Sequence, residues 1–143
     1  MMKRDFENLA DFRYQVRRFL RFSEEASRML GTTSLQYLLM LHIKAFPRRE
    51  WATVGELAER LQAKHHGVVS LVSRCEAAGW VCRRTGRGDR RRVEVTLTKK
   101  GGRRLADLVS LHRAELPTEG FLDAGSRASR SIARRGICRK RPR

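Results

Sequence analysis

One stretch of this chain has a period that no helix accommodates. Val93, Val95 and Leu97 alternate with Glu94, Thr96 and Thr98, the period-two pattern of a half-buried strand. Before it comes Thr85-Gly86-Arg87-Gly88-Asp89-Arg90-Arg91-Arg92, a turn rich in Gly and Arg. Before that, Trp80 to Arg84 reads as a second short strand. The remaining patterned segments repeat at helical spacing, so the chain is expected to be mainly α (α+β), with one hairpin set among helices.

The helices are bounded by recognisable signals. Asp5 to Leu30 carries Leu9, Phe12, Val16, Phe19, Ala26 and Leu30 on one face, with Ser23 filling the gap and Gly31 as a stop. Arg13, Arg17 and Arg21 form a row on another face, read as solvated. Thr33-x-x-Gln36 opens a second helix as a capping box, with Leu35, Leu38, Leu39 and Phe46 as its apolar stripe and Pro47 as its end. Thr53-Val54-Gly55-Glu56 is a second capping box, starting a short helix from Val54 to Leu61 with Leu57, Ala58 and Leu61 inward. In Lys64 to Ala78, Val68, Leu71, Val72 and Cys75 share one face, and His65, His66, Val69, Ser70, Ser73 and Arg74 share the other. Gly79 closes that helix. Thr98 caps a last helix running to about Glu115, with Leu105, Leu108, Val109, His112 and Leu116 on one face and Pro117 after it. Two short helices joined by a tight turn and followed by a basic hairpin make a winged helix-turn-helix arrangement.

Charge then narrows the partner. The 143 residues hold 32 Lys and Arg against 15 Asp and Glu, a formal net charge of +17, which favours a polyanion: DNA, RNA or an anionic surface. The excess is concentrated. Arg83 to Arg104 carries 10 basic and 2 acidic residues, and residues 117–143 carry 8 and 2. The longest apolar run is Tyr37 to Leu41, too short to span a membrane. Met-Met-Lys-Arg turns acidic at Asp5 without the apolar core of a signal peptide, so a cytoplasmic location and no membrane partner are expected. Three cysteines without CxxC spacing argue against a disulfide framework and a zinc site. No HExxH, GxSxG or GxxxxGK[ST] pattern occurs, so no enzyme, cofactor or metal is expected.

From about Asp5 to Leu116 the sequence resembles the MarR family of bacterial transcription regulators. The resemblance is carried by Thr33-x-x-Gln36, by Val54-Gly55-Glu56-Leu57-Ala58-Glu59-Arg60-Leu61, and by Cys75-Glu76-Ala77-Ala78-Gly79-Trp80-Val81. Its most specific piece is Asp89-Arg90-Arg91-Arg92, similar to the family's Asp-x-Arg wing, followed by Leu97-Thr98-Lys99-Lys100-Gly101 at the start of the fifth helix. Cys75 stands where the family pattern has Leu. The resemblance implies a winged helix-turn-helix with flanking dimerisation helices. It implies a homodimer on double-stranded DNA, a possible small-molecule effector, and a sequence-specific regulator, usually a repressor. It divides the chain into a domain of residues 1–116 and a basic, poorly ordered tail of residues 117–143. That tail lacks an apolar stripe where the family has a further amphipathic helix, so dimerisation is expected to rest on the first and fifth helices.

The resemblance places Lys64 to Arg74 in the major groove and Asp89-x-Arg91 in the minor groove. Lys64, His65, His66, Val69, Ser70, Ser73 and Arg74 are the candidate major-groove residues. Imidazole, hydroxyl and guanidinium groups suit base edges or phosphates, and Val69 suits a thymine methyl. The plainer reading is a solvated helix face. Arg87, Asp89, Arg90, Arg91 and Arg92 are the candidate wing residues, with Arg91 inserted into a narrow groove and held by a bidentate pair with Asp89. The plainer reading is a solvated loop. His42 and His112 read as core or interface histidines, and Cys75 as buried and inert. The competing function is nonspecific nucleic-acid binding through the same surface. Against it, no aromatic residue interleaves with the Arg clusters.

Overall fold

The structure, a computed structural model, describes residues 1–86 and 88–113. Arg87, Cys138 and the tail of residues 117–143 lie outside the described residues. Five helices and three strands follow one another as α1 (Lys3–Met29), α2 (Ser34–Lys44), β1 (Trp51–Thr53), α3 (Val54–Leu61), α4 (His65–Ala77), β2 (Val81–Thr85), β3 (Val93–Leu97) and α5 (Lys99–His112). The strands form one antiparallel sheet in the order β1-β3-β2.

Local chemistry accounts for the helix boundaries. Gly31 adopts φ +69° after α1, a conformation that costs glycine little. There the Thr32 N–H donates to the Ser27 carbonyl at 3.0 Å, closing the helix end. Both expected capping boxes form. Thr33 Oγ1 accepts the Gln36 N–H at 3.2 Å while Gln36 Oε1 accepts the Thr33 N–H at 2.9 Å. Thr53 Oγ1 accepts the Glu56 N–H at 3.2 Å while Glu56 Oε2 accepts the Thr53 N–H at 2.8 Å. Thr53→Ala is therefore expected to lower the stability of the protein by about 1 kcal/mol, read from the urea midpoint.

The core lies between α2, α3, α4, the sheet and α5. Leu39, Met40, Ile43, Leu57, Val72 and Leu108 are fully buried there. The stripe expected for α2 is turned. Tyr37, Leu39, Met40 and Ile43 face inward, Leu38 and Phe46 are half-buried, and Leu35 is exposed. An apolar helix contacted from several sides does not announce which side is the core. On α1, only Ser23, Ala26 and Ser27 are buried. Leu9 is exposed and Phe12, Val16 and Phe19 are half-buried.

Two seams fix α5. Near its end, His112 is buried, stacks on Tyr37 at 4.2 Å and meets Phe22 edge-on at 5.9 Å. Its Nδ1 lies 2.7 Å from the Leu108 carbonyl and its Nε2 lies 2.8 Å from Ser23 Oγ. A carbonyl only accepts, so Nδ1 carries the hydrogen of the bond to Leu108. Earlier in α5, Arg104 donates to the Leu30 carbonyl at 2.7 Å, tying α5 to the end of α1.

Candidate nucleic-acid interface

The turn between α3 and α4 is short. Gln62 takes φ +50° and its N–H returns to the Glu59 carbonyl, so α4 starts again at once. Lys64 is the N-cap of α4 but provides no side-chain hydrogen bond. The first N–H groups of α4 thus receive no cap from the Lys64 side chain, which leaves them open to an anion. Val68, Leu71, Val72 and Cys75 anchor the inner face of α4 as expected. Lys64, His65, His66, Val69, Ser70, Ser73 and Arg74 are exposed. Ser73 Oγ donates to the Val69 carbonyl at 3.1 Å, so its proton is occupied within the helix. Burial pushes the Cys75 thiol up to about 11 despite the nearby Arg74 charge, which leaves it a poor nucleophile at neutral pH.

The hairpin is tied back to α4 by one acid. Glu76 accepts the Arg83 N–H at 3.0 Å with one oxygen and Arg83 Nη2 at 3.0 Å with the other. The Arg83 side chain, then its backbone N–H, hold the Glu76 carboxyl below the ordinary carboxylate range. At the tip, Gly86 donates to the Arg92 carbonyl at 2.7 Å and Arg92 donates to the Asp89 carbonyl at 3.1 Å. Asp89 does not form the expected bidentate pair with the Arg91 guanidinium. Its Oδ1 accepts the Arg91 backbone N–H at 2.9 Å, because a carboxylate two residues before an N–H closes an Asx turn with less side-chain ordering than an ion pair requires. The Arg91 guanidinium is left exposed, as is Arg90. Arg92 turns back toward the sheet, with Nε 3.6 Å from Glu94 and its guanidinium over the Trp51 ring at 4.8 Å.

Helix and wing meet in one groove of about 230 Å³, lined by Gly55, His65, Val69, Arg83, Arg91 and Arg92 among others. The fold thus brings together members of both candidate sets, His65 and Val69 from α4 with Arg91 and Arg92 from the wing. Arg83 was not among the candidates, and its place in the groove follows from the pairing of β2 with β3, which the sequence period leaves open. Among the described residues there is no group of three or more side chains able to hold a metal ion, and no helix is long and apolar enough to cross a membrane.

Known proteins share this arrangement. A profile of the MarR family matches residues 30–92. AbsC, a MarR family transcriptional regulator from Streptomyces coelicolor, superposes with a TM-score of 0.77 at 18% identity, covering 94% of this chain and 95% of its own. Reduced AbfR bound to DNA superposes with a TM-score of 0.72 at 23% identity, covering 93% and 98%. A MarR mutant from E. coli complexed with operator DNA gives 0.69 at 20% identity, covering 84% and 89%. No curated protein matches the sequence.

Proposed function

We propose that this chain, whose residues 30–92 match the MarR family profile, is a sequence-specific DNA-binding transcription regulator of the cytoplasm that acts as a homodimer. The observation that carries the reading is the single groove shared by His65 and Val69 of α4 with Arg83 and Arg91 of the hairpin. A duplex lying against α4 meets the wing in the same approach. The solved relatives named with DNA lend the same reading support. The DNA-binding domain is taken as residues 1–116. Lys64, His65, His66, Val69, Ser70 and Arg74 are assigned to the major groove, and Arg90 and Arg91 to the minor groove or its phosphates. Arg87 belongs with them by sequence alone. Asp89 acts on the backbone that presents Arg91. A second copy is expected on α1, where Phe6, Leu9, Tyr14 and Leu20 are each more than half exposed.

Competition binding tests this reading. A labelled duplex from the region upstream of the chain's own gene is expected to be displaced by the same unlabelled duplex at far lower concentration than by scrambled DNA. Equal displacement by both would leave only nonspecific binding. Replacing Arg91 with alanine is expected to weaken that complex at least about tenfold, about 1.4 kcal/mol, while the melting temperature stays within a few degrees. An unchanged affinity would remove Arg91 from the interface.

A further inference from the structure

Three aromatic–cation contacts converge on the loop before α3. The Arg49 guanidinium lies over the Trp51 ring at 3.8 Å and over the Phe46 ring at 4.2 Å. The Arg92 guanidinium lies over the same Trp51 ring at 4.8 Å. Trp51 is fixed in its turn by pairing with Thr96 across β1 and β3. Arg49 forms an ion pair with Glu56, whose other oxygen holds the Thr53 N–H at the start of α3. Burial alone would push the Glu56 carboxyl up, but the Thr53 N–H and the Arg49 guanidinium outweigh it and hold it below its ordinary range. At the other end, the backbone of Arg92 closes the wing turn against Gly86 and Asp89. A continuous path therefore runs from the cap of α3 through Glu56, Arg49, Trp51 and Arg92 into the wing.

We infer that Trp51 is the positioning residue of the wing: its indole joins Arg92 to Arg49 and so to the N-terminus of α3, holding the wing and α4 in one arrangement before a duplex arrives. The physical warrant is preorganisation. A hairpin with exposed arginines at its tip has many orientations to lose on binding, and a ring that holds the guanidinium at its base removes part of that loss in advance. Arg92, though it lines the groove, is then an anchor rather than a contact to the duplex, since its guanidinium is engaged by Glu94 and Trp51. The inference rests on the DNA-binding reading for its consequence, while the clamp itself is measurable without DNA.

The test uses the full chain with Trp51→Ala, Trp51→Phe, Arg92→Ala and the Trp51→Ala/Arg92→Ala double variant. Amide hydrogen exchange is followed first, in the absence of DNA. Trp51→Ala is expected to speed exchange at Gly86 and Arg92 by about tenfold, and Arg92→Ala to do so at Gly86, leaving Ile43 and Val72 unchanged, with Trp51→Phe near wild type. Affinity is then measured for the upstream duplex and for a scrambled duplex of the same length. Trp51→Ala is expected to lose about tenfold on the first and less than about twofold on the second, because no charge is removed. The double variant is expected to lose no more than the larger single loss. Unchanged exchange at Gly86 and Arg92, acceleration shared equally by Ile43 and Val72, or additive losses would each overturn the proposal. Should Trp51→Ala fail to fold, Arg92→Ala and Trp51→Phe decide by the same exchange criteria. Should wild type bind both duplexes alike, the regulator reading fails, and the exchange result still judges the clamp.

Discussion

Gly101→Ala is expected to destabilise the protein by about 3 kcal/mol or more, a large part of the ~5–15 kcal/mol that holds a domain folded. A Cβ on Gly101 would sit 1.9 Å from the Trp80 carbonyl oxygen and 2.7 Å from the carbonyl carbon. Both are backbone atoms, so no side chain can turn away. The helix cannot retreat cheaply either. The Trp80 carbonyl accepts the Thr98 N–H at 3.0 Å. Thr98 Oγ1 donates to the Gly79 carbonyl at 2.6 Å and accepts the Gly101 N–H at 3.0 Å. Relief of the clash would break some of these bonds, each worth about 1 kcal/mol. Gly102→Ala is the control. Nothing lies within 4 Å of its added methyl, and alanine within a helix gains ~0.5–1 kcal/mol over glycine. Urea unfolding of the two variants should separate them clearly. Equal midpoints would mean that the start of α5 is less constrained than its hydrogen bonds indicate.

The second large effect concerns salt. Neutralising about 6–10 phosphates gives a slope of roughly −5 to −9 in log affinity against log salt, so affinity should fall ~1,000-fold or more between 50 and 200 mM salt. Arg91 and Arg90 of the wing and Lys64 and Arg74 of α4 are exposed and would account for much of that slope. Filter-binding or fluorescence titrations at several salt concentrations give the value directly. A nearly flat response would contradict an electrostatic contribution from the wing.

Much of this architecture was legible from spacing. Both capping boxes, the inward face of α4 and the period-two strand appear where expected, because each rests on short-range chemistry: a hydroxyl three residues from an N–H, a 3.6-residue face, an alternating edge. β1 was not legible. Trp51-Ala52-Thr53 is too short to show a period, and it becomes a strand only because Val95 of β3 lies opposite Ala52. The same pairing explains why Trp51 escaped the candidate residues. Its ring meets Arg92, which is distant in sequence and brought near only by the fold. The Asp89 reading erred in the opposite direction. A carboxylate among arginines suggests a charge pair, yet the nearer backbone N–H of Arg91 claims it. The groove that joins His65 to Arg83 and Arg91 required the fold.

The junction of α4 with α5 is closed by side-chain bonds from the beginning of α5. Lys100 Nζ donates to the Ala78 carbonyl at 3.0 Å, and Thr98 holds the Gly79 carbonyl. The end of one helix is thereby bolted to the beginning of the other. Both bonds join the start of α5 to the residues that end α4. α5 is also fastened to α1 through Arg104 and His112, so an unbroken series of bonded contacts runs from α1 through α5 to the end of α4.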